Sequence, residues 1–247
     1  MEKYRKELSA MKLTFIGSSH GVPEAHRKCS CLMVEVGKNI YFVDMGTSVI
    51  EPLQNRGIPV DAVKGIFISH MHGDHINGLV SFVDLLNWFF RSADPTVCLP
   101  DLSAAEVIRQ WLKVTLNNGQ KEIRYAPVHS GEIFNDGLLK VTAFPTLHCP
   151  GSFAFLLEAE GKSILYTGDL NRPGVDFPQV AQTRPLDLVI CEAAHFPATE
   201  YQPILEKCQI HRLCVTHYSP RYHYSALELA QRHPEVFLAT DDLEISL

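Results

Sequence analysis

Ser69-His70-Met71-His72-Gly73-Asp74-His75 follows directly on Gly65-Ile66-Phe67-Ile68, and the junction decides how the chain is read. Gly65–Ser69 has the character of a buried strand, and Ile76 to Phe90 beyond the cluster reads as a largely apolar helix. The histidines therefore sit on a loop at the C-terminal end of a strand. Imidazole nitrogen and carboxylate oxygen are the donors expected for zinc-like divalent ions. In an extended stretch His70 and His72 point to the same side and can share one ion. Asp74 and His75 lie past Gly73, where the chain turns, and can face a second ion. Two metals at such spacing can clamp the attacking and leaving oxygens of a hydrolysis. The bland alternative is a solvated histidine-rich loop. Three histidines and an aspartate within six positions, right after a buried strand, weigh against it.

Working outward, Met11–Ile16 reads as a strand that runs into the small polar turn Gly17-Ser18-Ser19-His20-Gly21. Cys31–Val36 and Asn39–Val43 read as strands joined by a hairpin at Gly37-Lys38. Ser48–Asn55 reads as a short helix, Val97–Leu99 as a strand, and Ser103 as the cap of a helix through Leu116. Further strands are expected at Glu122–Tyr125, Leu139–Phe144, Phe153–Leu157 and Ser163–Tyr166. Leu188–Cys191 and Leu213–Thr216 are near-continuous apolar strands, the pattern of strands covered on both faces. Helices are expected at Gln202–Cys208 and Ser225–Gln231. Trp88, Phe89 and Phe90 read as core or as a face between two copies of the chain. Strand-rich halves flanked by helices give an α/β chain of two packed sheets in one domain spanning residues 1–247.

Composition narrows the function classes. The 247 residues are 46% hydrophobic and 20% charged, a globular balance with core enough for one domain. No stretch reaches the length of a membrane span, and Met1–Ala10 lacks the apolar run of a signal peptide. Seven scattered cysteines suit reduced thiols, so a cytoplasmic location is expected. A formal net charge of −6 disfavours nucleic acid as a partner.

The segment His70-x-His72-x-Asp74-His75 resembles the signature of the metallo-β-lactamase superfamily. Later elements continue the resemblance in order: Asp44-Met45-Gly46, Pro145-Thr146-Leu147-His148, Tyr166-Thr167-Gly168-Asp169 and Thr216-His217-Tyr218-Ser219. Together they span most of the chain. The resemblance implies an αββα four-layer sandwich. It implies that His70, His72 and His148 hold one divalent metal, that Asp74, His75 and His217 hold another, and that Asp169 bridges them. A bridging water or hydroxide would then be the nucleophile. Zinc is the expected metal, with manganese, iron and nickel compatible with the same donors. Asp44 would support a ligand histidine or the loop after it.

Within the superfamily, Thr216–Tyr222, Gly17–Pro23 and Leu188–Ala193 resemble the tRNA 3′-processing endonucleases (tRNase Z) and their phosphodiesterase relatives. Ser18, Ser19 and His20 on the first loop, together with Arg221, are therefore candidates for contacting phosphate. Two departures separate the chain from tRNase Z. Only twenty residues stand between His148 and Asp169, room for a hairpin but not for a tRNA-binding arm. The His-Ser-Thr segment expected after Cys191-Glu192-Ala193-Ala194 is replaced by His195. The expected activity is hydrolysis of a small or cyclic phosphodiester, with Asp74 accepting a proton and His195 a candidate general acid. Hydrolysis of a lactone, thioester or β-lactam stays open on the same ligands, and a tRNA endonuclease ranks below both. A di-iron redox protein is disfavoured because the carboxylate substitution of that variant is absent. A homodimer is left open.

Overall fold

The computed structural model describes residues 11–119 and 121–247, and the expectation for Met1–Ala10 lies outside them. Strands β1 to β6 are Lys12–Gly17, Cys31–Val36, Asn39–Val43, Val63–Phe67, Thr96–Leu99 and Arg124–Pro127. A second series follows: β7 to β13 are Gly131–Asn135, Lys140–Pro145, Phe153–Ala159, Lys162–Tyr166, Leu188–Ala193, Leu213–Tyr218 and Val236–Leu238, and β14 is Glu244–Ser246. The first sheet has the order β14-β1-β2-β3-β4-β5-β6 and the second β13-β12-β11-β10-β9-β8-β7. Each sheet is antiparallel over its early hairpins and turns parallel where crossovers begin, at β3–β4 and at β10–β11.

Side-chain alternation explains the layering. Leu32, Val34, Tyr41, Val43 and Phe67 point into a core shared with Val141, Phe155, Leu157, Ile164 and Tyr166 of the other sheet. The intervening residues Cys31, Met33, Ile40, Phe42, Ile66 and Ile68 point the opposite way, into a second core with Leu79, Phe82, Val83 and Leu86. Val189, Cys191, Leu213 and Val215 form a third core with Tyr201, Ala226 and Leu229. Both faces of both sheets are thus buried, which yields the expected four αββα layers. The helices that close the outer layers are α1 to α3 (Ile50–Asn55, Gly73–Trp88 and Ser103–Val114) and α4 to α7 (Pro173–Asp176, Val180–Thr183, Gln202–Lys207 and His223–Arg232). Among the described residues, no helix is long and apolar enough to cross a membrane.

Two local expectations are corrected and a third is narrowed. Ser103 is the first residue of α3 rather than its cap, and its N–H donates to Asp101 Oδ1 at 2.8 Å. Trp88 and Phe89 are 47% and 75% exposed, which removes the core reading for them and leaves the face between two copies as an expectation. The strand expected at Gly65–Ser69 ends at Phe67, which frees the following residues to bend toward the site.

Candidate metal centre

Asp44 begins the site. It ends the β3 turn in a left-handed conformation (φ +57°) that a short polar side chain tolerates. Its Oδ1 accepts the Ser69 N–H at 2.7 Å, and its Oδ2 accepts the Ser69 hydroxyl at 2.9 Å, the Tyr166 hydroxyl at 2.8 Å and His75 Nδ1 at 2.7 Å. One buried carboxylate therefore joins both sheets and the loop after β4. Gly46 lets this turn meet the start of α2: a Cβ there would lie 1.8 Å from the Asp74 carbonyl oxygen.

These bonds settle the tautomers. His75 gives its Nδ1 proton to Asp44, so its Nε2 lone pair faces inward. The Ser69 hydroxyl donates to Asp44 and accepts from His70 Nδ1 at 3.1 Å, which leaves His70 Nε2 free as well. His217 Nδ1 donates to the Ser19 carbonyl at 2.9 Å, because that oxygen can only accept. Its Nε2 is thereby also turned toward the cluster.

The free nitrogens converge. His70 Nε2 and His148 Nε2 lie 3.0 and 3.2 Å from His72 Nδ1. On the other side, Asp74 Oδ2 lies 3.4 Å from His75 Nε2 and 3.6 Å from His217 Nε2. Asp169 stands between the groups. Its Oδ2 is 3.7, 3.6 and 3.4 Å from Nε2 of His70, His148 and His217, and its Oδ1 is 3.6 Å from His75 Nε2. The seven residues expected from the sequence converge; His70, His72 and His148 form one ligand-distance group and Asp74, His75 and His217 another, while Asp169 groups with His70 and His75 and also with His148 and His195.

The electrostatics favour a cation. Burial, with His75 beside it, holds His70 down to about 3, and burial lowers His148. Burial would raise Asp169, but His217 and His75 outweigh it and hold the carboxyl well below the usual range. His75 Nε2 and Asp169 Oδ1 are buried with no hydrogen-bond partner, an arrangement that costs about 1–3 kcal/mol per group unless something satisfies it. A divalent cation matches this donor set of convergent imidazole lone pairs and carboxylates.

His195 borders the cluster. Its Nδ1 lies 2.9 Å from Glu192 Oε2, and its ring centroid is 4.6 Å from that of His148. The buried Glu192 carboxylate also accepts N–H bonds from Leu170, Ala194 and His195. The Glu192 hydrogen bond raises the His195 pKa against the opposing effect of burial.

The first loop departs from expectation. Ser18 and Ser19 are fully buried, their hydroxyls donating to Asp241 Oδ1 and to the Val22 carbonyl, so they build the loop rather than face open space. His20 is tied to Glu24 at 3.2 Å. The loop still brackets the cluster, since a Cβ on Gly21 would lie 3.5 Å from Asp74 Oδ2. Arg221 is exposed, its guanidinium 5.1 Å from the Tyr222 ring, and no carboxylate pairs with it among the described residues. Sequence reasoning missed Glu192 as the partner of His195. It also missed Asp176, which accepts the N–H groups of Leu147, Asn171 and Arg172 and so ties the His148 loop to the Asp169 loop. Glu192 is only three residues from His195 but lies inside an apolar strand that gave no sign of the pairing, and Asp176 works through backbone N–H groups that any residue offers.

Fold and motifs place the chain in the metallo-β-lactamase superfamily, in the branch of tRNase Z and its phosphodiesterase relatives. More narrowly, the chain belongs to the family described as Anti-Pycsar protein Apyc1, whose profile matches residues 11–232. It is similar to ribonuclease Z of Listeria innocua, with 28% identity over 176 residues, covering 70% of this chain and 57% of that protein. The chain thus spans little more than half the length of that curated relative. Human tRNase Z, short form, shares the fold with a TM-score of 0.75 and 21% identity over 95% of this chain and 98% of that one. A diphosphatase from the PhnP family shares it with a TM-score of 0.70 and 20% identity over 96% and 98%.

Proposed function

We propose that the protein is a metal-dependent hydrolase of a small or cyclic phosphodiester. The observation that carries this reading is the Asp169 carboxylate set between two groups of convergent nitrogens, with His195 at their edge. His70, His72 and His148 would hold one divalent ion, Asp74, His75 and His217 the other, with Asp169 shared. Zinc is the first candidate and manganese, iron and nickel are alternatives. Ions bound there supply Lewis acidity, which favours ionisation of water and neutralises phosphate charge.

The chain's own residues provide the rest. Asp74 accepts the proton of the attacking water. As the new P–O bond forms and the bond to the leaving oxygen breaks, His195 donates a proton to that oxygen. Glu192 holds the His195 Nδ1 proton, so Nε2 is the ring nitrogen left to carry the donated proton. Arg221 is the free guanidinium near the end motif that can meet a phosphate oxygen.

A small substrate is favoured over tRNA. The segment between His148 and Asp169 is filled by β9 and β10, which turn at Glu160-Gly161, where an arm would need a long insertion. The net charge of −6 also disfavours a large polyanion. The test is turnover of bis(p-nitrophenyl) phosphate by metal-stripped protein restored with zinc or manganese, beside lactone, thioester and precursor-tRNA substrates. Metal-dependent phosphodiester cleavage without tRNA cleavage is expected. Lactone or thioester cleavage alone would overturn the phosphodiester assignment.

A further inference from the structure

His217 is the cluster member with the most demanding backbone. It ends β12 at φ +46°, a left-handed conformation that side chains other than glycine rarely adopt. Something must hold it, and the contacts come from the other end of the chain. The His217 N–H donates to the Ser18 carbonyl at 2.9 Å. Its Nδ1 meets both the Ser19 carbonyl at 2.9 Å and the Ser30 hydroxyl at 2.7 Å. Ser30 is itself buried, and its carbonyl accepts the Gly46 N–H at 2.8 Å, beside Asp44.

The segment from Gly17 to Ser30 is built to stay still. Asp241 accepts the Ser18 N–H and hydroxyl on one oxygen and the Lys28 N–H on the other, all at 2.9 Å. Arg27 closes the loop. Its Nη2 donates to the Ser18 carbonyl at 2.5 Å, and both terminal nitrogens donate to the Tyr218 carbonyl at 3.3 Å. Its guanidinium carbon lies 3.7 Å from the Tyr218 ring centroid. Arg27 thus grips the residue after His217 and the carbonyl that holds the His217 backbone. The aromatic stack adds a cation–π contribution to this grip.

We infer that Gly17–Ser30 is the positioning element of His217, with Ser30 and Arg27 as positioning residues that fix the imidazole's tautomer and aim. The role goes beyond folding the loop, because the bonds end on Nδ1 and so choose which nitrogen faces Asp74 and Asp169. The inference rests on the metal reading above, and on it the two groups should respond differently. Only the group containing His217 depends on the strap. The group of His70, His72 and His148 is fixed from Ser69 and the Asp176-held loop.

The experiment uses the full chain with Ser30→Ala, Arg27→Gln and the double substitution. Zinc is titrated calorimetrically into metal-stripped protein. The His217 tautomer is read from long-range proton–nitrogen correlations in the stripped protein, so that this readout is independent of any metal. Native protein is expected to show two binding steps and a His217 imidazole protonated at Nδ1. Ser30→Ala should weaken one step roughly 10- to 100-fold, the range for supporting partners of a metal ligand, and leave the other within about twofold. The double variant should show a mixed tautomer. An unchanged tautomer and unchanged steps would overturn the inference. So would equal weakening of both steps with a matching fall in the stripped protein's Tm, since that is the mark of a purely structural loop. Native protein that binds no zinc while keeping the Nδ1 tautomer would overturn the metal reading and leave the strap as a support for the fold alone.

Discussion

Asp169 faces more ring nitrogens than any other carboxylate of the cluster. It is 3% exposed and lies within 4 Å of ring nitrogens from His70, His75, His148, His195 and His217. Replacing it with asparagine keeps the shape and removes the charge. Asp169→Asn is expected to weaken both zinc steps by about 100-fold or more, at or beyond the upper end for outer partners of a metal ligand, as calorimetry would read. His195 makes a different demand. A general acid contributes about 10²- to 10⁴-fold, and only where the leaving oxygen needs a proton. A nitrophenolate leaves readily without one, whereas an alkoxide does not. His195→Ala should therefore lower kcat for an alkyl or ribose phosphodiester by that range and barely alter kcat for bis(p-nitrophenyl) phosphate. An equal loss on both substrates would remove His195 from that role. At this scale the candidate cluster was legible in two ways: His70, His72, Asp74 and His75 from the spacing of metal donors at a strand end and turn, and His148, Asp169 and His217 only from the family resemblance. Ser30, Arg27 and Glu192 were not. Ser30 meets His217 across 187 positions, and an ordinary serine carries no mark of that distant partner.

The elements that carry these residues are held by close backbone approaches. A Cβ on Gly78 would lie 2.0 Å from the Thr47 carbonyl oxygen, where α2 crosses the turn after β3. The neighbour is backbone and cannot swing aside. Gly78→Ala should cost roughly 1–3 kcal/mol, the range for overpacking a close contact, measurable as a lower denaturant midpoint with unchanged slope. It should also weaken zinc binding, because the same helix begins with Asp74 and His75. The central strands were readable because both of their faces are apolar, as in Cys31–Val36 and Leu188–Ala193. Strand β7, with its partly exposed residues, and the three-residue strands β13 and β14 escaped notice. Each pairs at a sheet edge, where tertiary contact rather than pattern makes the strand.

Across the whole molecule, acid stability follows from carboxylates held by partners in the fold. Burial would raise Asp136, but the Tyr41 hydroxyl and the N–H groups of Leu138 and Leu139 outweigh it and hold it low. Glu158 is lowered by Lys140 and Arg184 against burial, and Asp187 by the Ser163 N–H and Lys162 against burial. A carboxyl whose folded pKa is depressed adds stability above its unfolded value, near 4, and that stability is lost as pH falls through the folded value. Tm should therefore decline below about pH 4, and Asp136→Asn should make that decline shallower. A Tm that rises on acidification would contradict this. The four-layer architecture was readable because two strand-rich halves with helices at their ends leave few other ways to bury both faces. Which loops would close over the cluster was not, since Asp176 and Asp241 work through backbone N–H groups that any residue offers.

The cluster is proposed here as the centre of a dinuclear metal-dependent phosphodiesterase. The most direct measurement is hydrolysis of a 3′,5′-cyclic nucleoside monophosphate by metal-stripped protein as zinc or manganese is restored stepwise, with Asp169→Asn in parallel. No turnover is expected without metal, full turnover only as the second equivalent binds, and none from Asp169→Asn. Turnover that is complete without metal, or that survives Asp169→Asn unchanged, would contradict the proposal.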